Sequence, residues 1–148
     1  MKHSIKLIAL VSFLFLGMQL KAQDKGIQFF EGTWEQALEE SQKQGKPIFL
    51  DAYASWCGPC KMMAKNVFTK EKTGTYYNAN FINVKMDMEK GEGPALSNQL
   101  RITAYPTLFF INGKGEVIAK SIGYHTPSAL VDVGVQVLQK LKTNETKD

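Results

Sequence analysis

The sequence predicts an α/β fold: a mixed β-sheet flanked by helices on both faces, in a single domain. Three observations predict it. Strand-like and helix-like stretches alternate along most of the chain. One stretch, "PIFLDAYA" at 47–54, is a nearly continuous apolar run of the kind expected of a strand buried on both faces. Near the C-terminus, "TLFFINGKGEVIAKS" has a hairpin pattern with Asn112-Gly113 in its turn, so the sheet also holds antiparallel strands. The 148 residues, 44% apolar and 22% charged, suffice for one hydrophobic core and exclude a disordered chain.

The N-terminus reads apart from this domain. "MKHSIKLIALVSFLFLGMQLKAQ" has a basic start, a short apolar middle and a small residue near its end, the pattern of a secretory signal peptide cleaved after Ala22. Its apolar run falls short of the roughly 20 residues that span a bilayer, and no cysteine follows to carry a lipid. Residues 1–22 hold three lysines and no acid, which leaves 15 basic against 14 acidic side chains in the remainder. The basic pI of 9.0 therefore belongs mostly to the leader and is no argument for nucleic acid. The domain is expected over 23–148, with its core over 29–141 and a polar tail at 142–148. Export places it in a periplasm or outside the cell.

"GIQFFEG" (26–32) reads as a short first strand. "TWEQALEESQKQG" reads as a helix: Thr33 and Gln36 have capping-box spacing, Trp34, Ala37 and Leu38 form the apolar stripe, and Gly45 stops it. After the buried strand a helix begins around Cys57 and runs through "CKMMAKNVF", with "TKEKTGTYYNAN" adding a further turn or two. "FINVKMDM" (81–88) is the next strand, and "GPALSNQL" a helix with Pro94 in its first turn. Following the hairpin, Thr126 caps a last helix whose first residue is Pro127. Its buried stripe is Leu130, Val133, Val137, Leu138 and Leu141.

Chemistry concentrates at Cys57 and Cys60, the only cysteines. A closed zinc site needs four ligands, and His125 is the one further nitrogen donor after the leader, so one chain cannot build it. A Cu(I) thiolate site needs fewer ligands, with Met62, Met63, Met86 and Met88 as conceivable helpers. A purely structural bridge would close a very small loop and stabilise little. Thiol–disulfide exchange fits the surroundings best. With a helix starting at Cys57, its sulfur lies at the positive end of the helix dipole, which favours the thiolate. Cys60 lies one turn further on and on the same side. Cys57 is then the attacking thiol and Cys60 the resolving one, with Gly58 and Pro59 tightening the turn between them.

"LDAYASWCGPCK" resembles the active-site strand, turn and helix of thioredoxins. The likeness extends to Lys85 in "NVKMD", to "AYPT", to the "NGKGE" hairpin and to Gly123 in "SIGYH". It covers nearly all of the domain and implies a thioredoxin fold. Two loops, within "NVFTKEKTGTYYNANF" and "DMEKGEGPALSNQL", are longer than in small cytosolic members. They are more like exported thioredoxin-like proteins and the periplasmic C-terminal domain of the transmembrane thiol:disulfide interchange reductase.

The resemblance makes Asp51 a buried proton relay that deprotonates Cys60, and Lys85 its partner on the adjacent strand. It makes Tyr105-Pro106 a cis bond beside the cysteines, with the Tyr105 backbone open to a substrate chain, and Trp56 a shield over the sulfurs that contacts partners. Lys61 is a solvated helix residue and His125 an ordinary surface residue. The implied activity is a protein-disulfide reductase acting on exported proteins as a monomer. It needs no cofactor beyond the Cys57–Cys60 dithiol and is re-reduced by a membrane electron donor. A disulfide oxidase or isomerase of the same fold is the alternative, and a Cu(I) carrier a more distant one.

Overall fold

The computed structural model describes residues 25–145. The leader reading of 1–22 lies outside that span. Along the chain run helix α1 (Trp34–Gln44), strand β1 (Ile48–Tyr53), helices α2 (Gly58–Asn66) and α3 (Glu71–Asn80), strand β2 (Ile82–Asp87), helix α4 (Gly93–Leu100), strands β3 (Thr107–Ile111) and β4 (Val117–Ile122), and helix α5 (Pro127–Glu145).

The four strands form one sheet in the order β2-β1-β3-β4. β1 pairs with β2 in parallel and with β3 antiparallel, and β3 pairs antiparallel with β4. This is the mixed sheet the alternating pattern predicts, and β1 sits inside it with every residue but Tyr53 buried. Period-two alternation sends its side chains to two cores. Ile48, Leu50 and Ala52 pack with Ala37, Val84, Leu96 and Phe109, on the side of α1 and α4. Phe49 packs with Met63, Tyr77, Phe110, Leu130 and Val137, on the side of α2, α3 and α5.

Local signals explain most element ends. Thr33 Oγ1 accepts the Gln36 N–H at 3.2 Å while Gln36 Oε1 accepts the Thr33 N–H at 2.9 Å, the reciprocal cap read from the spacing. Gly45 closes α1 in the left-handed conformation, at φ 64°. Asn112 opens the β3–β4 turn, and its side chain accepts the N–H groups of Lys114 and Glu116 at 2.9 and 3.0 Å. At the start of α5, Thr126 Oγ1 accepts the Ala129 N–H at 3.3 Å.

Two expectations change. Residues 26–32 form no strand. They run beside β2, where Phe30 N–H donates to Asn83 O at 2.7 Å. Asn side chains replace the rest of a ladder: Asn78 Oδ1 accepts the Gln28 N–H at 2.9 Å, and Asn83 Nδ2 donates to Gln28 O at 3.3 Å. The second change is α3, an independent helix of 10 residues rather than an added turn. Its Gly74 packs so tightly on Lys25 and Gly26 that any side chain would collide with their backbone.

Candidate active site

Strand β1 carries the chain to the site, and the turn after it aims the sulfurs. Cys57 N–H donates to Ala54 O at 3.0 Å, closing the turn that holds Ser55 and Trp56. Cys57 is the N-cap of α2, with extended backbone. The Cys60 N–H donates to Cys57 Sγ at 3.2 Å, so the sulfur stands where a capping serine or aspartate oxygen usually stands. Cys57 and Cys60 are disulfide-bonded, with Cα atoms 5.3 Å apart.

Once the bond is reduced, the unpaired N–H groups of the first helical turn favour negative charge on Cys57. Pro59 stands in that turn, where a missing N–H costs nothing. A Cβ at Gly58 would meet nothing within 4 Å, so the glycine relieves no clash there. Lys61 follows Cys60 as an exposed residue.

The Tyr105-Pro106 bond is cis. Tyr105 and Tyr53 pack against the cluster of Ala54, Cys57 and Cys60. Trp56 is 66% exposed, which excludes a core role. Its ring meets Tyr105 edge-on at 5.9 Å. Its indole N–H lies 3.0 and 2.9 Å from the two carboxylate oxygens of Glu89. The loop after β2 thereby grips the turn before Cys57, and it does so twice. Lys90 Nζ donates to Ser55 Oγ at 3.3 Å and pairs with Asp87 Oδ2 at 3.3 Å. Asp87 also accepts the Glu89 N–H, which is the main reason its carboxyl is held below the usual range. Sequence reading missed Glu89. The only signal was the unusual length of "DMEKGEGPALSNQL", which marks the loop but not its target.

Asp51 is 1% exposed in the middle of β1, on the same face as Phe49 and Tyr53. Its Oδ1 has no hydrogen-bond partner among the described residues. Burial pushes its carboxyl up to about 7, outweighing the charge of Lys85, which pulls the other way. Lys85 is its register partner across the parallel pair, as the resemblance implied. The two form no ion pair, however. The exposed Lys85 ammonium sits over the Tyr53 ring at 5.0 Å and the Phe29 ring at 5.9 Å. A small pocket of about 70 Å³ runs between Tyr53, Lys61, Ala64 and Lys85 and reaches Cys60.

His125 departs from its expected place as an ordinary surface residue. It is half-buried, and both ring nitrogens are engaged, with Ser121 Oγ at 2.8 Å and Gly123 O at 3.0 Å. Larger pockets of about 290 and 360 Å³ lie elsewhere, lined by residues such as Gln28, Asn78 and Asn83 in one case and Gly45, Asn112 and Leu141 in the other.

A family model described as thioredoxin-like matches residues 29–113. A solution structure from Bacteroides thetaiotaomicron, described as a candidate disulphide-isomerase, is 43% identical with a TM-score of 0.67. The match covers 78% of this chain and 97% of that one. The mitochondrial thioredoxin-3 of Saccharomyces cerevisiae is 37% identical over 89 residues, 60% of this chain and 63% of that protein, so less than two thirds of that relative is spanned. The oxidised C-terminal domain of DsbD from Neisseria meningitidis shares the fold, with a TM-score of 0.60 at 20% identity over 74% of this chain and 97% of that one.

Proposed function

Because this chain belongs to the thioredoxin-like family, we propose that its Cys57–Cys60 pair reduces disulfides in exported proteins. At the coarser level it is a thioredoxin-like disulfide oxidoreductase with a disulfide-bonded Cys57–Cys60 pair. The observation that carries the proposal is the place of that pair: Cys57 caps α2, and the Cys60 N–H is directed at its sulfur.

In the reduced protein the Cys57 thiolate attacks one sulfur of a substrate disulfide. The substrate S–S bond breaks, one substrate sulfur leaves as a thiolate and takes a proton from solvent, and a mixed disulfide forms. Asp51, with its carboxyl near 7, accepts the Cys60 proton. The Cys60 thiolate then attacks Cys57 Sγ, closes the internal disulfide and releases the second substrate thiolate, which takes up a proton as Asp51 gives back the one it accepted from Cys60. Two electrons and two protons pass to the substrate in total. The chemistry leaves the pair oxidised, so a reductant must return two electrons, and a dithiol donor at the membrane is the one this reading assigns.

Several features support a polypeptide substrate. The disulfide itself is buried, but the adjoining Trp56 is exposed, Tyr105 packs on the pair beside the cis bond, and the larger pockets lie away from it. Export rests on the leader pattern in residues 1–22. In this reading the chain acts as a monomer. Isomerase activity is the second reading, favoured by the description of the Bacteroides structure.

Equilibration of the pair against a thiol buffer tests the direction. A reductase gives a potential near that of thioredoxin, about −270 mV, an isomerase one near about −180 mV, and a strong oxidant one near about −120 mV. Either of the last two values overturns the reductase reading.

A further inference from the structure

We propose that His125 is a positioning residue for docking of polypeptide substrates, acting through the bend at Gly123. The proposal rests on the oxidoreductase reading above and adds a specificity device to it.

The bend lies where β4 ends, three residues before Thr126, the cap of α5. Gly123 has φ 93°, a conformation that side-chain-bearing residues rarely adopt. Both of its peptide groups are tied. Its N–H donates to Pro106 O at 2.8 Å, and its carbonyl lies 3.0 Å from His125 Nδ1. A carbonyl oxygen can only accept, so Nδ1 carries the hydrogen. In the neutral ring Nε2 is then the acceptor, and the Ser121 hydroxyl donates to it across 2.8 Å. One imidazole therefore joins the last turn of β4 to the bend that follows.

The consequence falls on the neighbours of Gly123. Ile122 and Tyr124 are large apolar side chains that stay 54% and 42% exposed. They flank Gly123, whose N–H is bound to Pro106 O, and the residue before Pro106 packs on the disulfide. A polypeptide reaching the sulfurs meets them, whereas a small disulfide reaches the sulfurs without them. Apolar segments next to the substrate cysteine are the chemistry this rim recognises. His125 touches no reacting atom, and its role is to keep the rim in register with the disulfide.

Turnover of insulin, a protein disulfide, compared with that of 5,5′-dithiobis(2-nitrobenzoate), a small one, tests this with the full chain. His125→Ala should raise KM for insulin about five-fold, the worth of a lost hydrogen bond, with kcat nearly unchanged. The rate with the small disulfide should stay within about two-fold. His125→Asn keeps a donor near the Nδ1 position and should recover most of the loss, and Ser121→Ala should cause a smaller rise in KM. Equal losses on both substrates, or no change in KM for insulin, would overturn the assignment. A parent chain inert to both substrates would instead overturn the oxidoreductase reading itself.

Discussion

Two buried side-chain oxygens lack a hydrogen-bond partner among the described residues: Asp51 Oδ1 and Asn83 Oδ1. They lie on neighbouring strands and are 1% and 4% exposed. Their surroundings differ. Asn83 is neutral, and its amide donates to Gln28 O and to Asn78 Oδ1, stitching the N-terminal segment to the edge of the sheet. Asp51 is ionisable, forms no ion pair with its register partner Lys85 and stands on the strand that leads to Cys57. The same defect is a structural joint in one place and a titrating group in the other. Burial becomes functional where the buried group can gain or lose a proton near neutral pH.

Asp51 and Asn83 should therefore fail differently when changed. The largest effect concerns stability against pH. A carboxyl raised from 3.8 to about 7 in the folded chain stabilises the fold most below about pH 4, and that contribution is lost as pH rises through 7. The loss amounts to about 4 kcal/mol. The core absorbs it, since Phe49, Leu108 and Phe110 are fully buried and contribute about 1.5–3 kcal/mol each. Denaturant unfolding of Asp51→Asn should show this pH-dependent slope gone, so that the variant exceeds the parent at pH 8 and not at pH 4. A parent stability that is flat over that range would remove the buried-acid argument.

Next in size is the rate. Asp51→Asn should slow the resolving step about 100-fold at pH 7 by removing the proton acceptor. Stopped-flow decay of the mixed disulfide reads it directly. Asn83→Ala should leave that rate alone. Its own effect is a pH-independent loss of about 1–3 kcal/mol, because the Gln28 carbonyl and Asn78 oxygen each lose a donor. A slowed resolving step in Asn83→Ala would erase the distinction between the two sites.

Smallest is Lys85→Met. Lys85 lowers the Asp51 carboxyl by less than burial raises it, from its exposed seat over Tyr53 and Phe29. The pH midpoint of the resolving step should move upward, with less than about a three-fold change in rate at pH 7. A downward shift would mean that Lys85 does not act on Asp51 by its charge.

The same division separates what was legible in the sequence from what was not. Thr33 with Gln36, the apolar run of β1, the Asn112 turn and the Thr126-Pro127 start are short-range patterns, and each forms the element expected of it. The opposition of Asp51 and Lys85 was legible through the family likeness and appears as register. The segment 26–32 misled, because its apolar residues suit a strand while its partners are Asn78 and Asn83 side chains some fifty residues away. Glu89 and His125 were missed for the same reason. Glu89 matters through Trp56, and His125, whose own partners Ser121 and Gly123 are local, matters through the bond of Gly123 to Pro106; no local spacing encodes the Trp56–Glu89 or Gly123–Pro106 contact.

The central claim is that Cys57 attacks and Cys60 resolves. Its most direct measurement is capture of mixed disulfides from cells of the native host making single-cysteine variants of the full chain. Cys60→Ser, which keeps the attacking thiol, should accumulate covalent complexes with other proteins that dissolve on reduction. Cys57→Ser should accumulate none. Complexes on Cys57→Ser and none on Cys60→Ser would contradict the assignment.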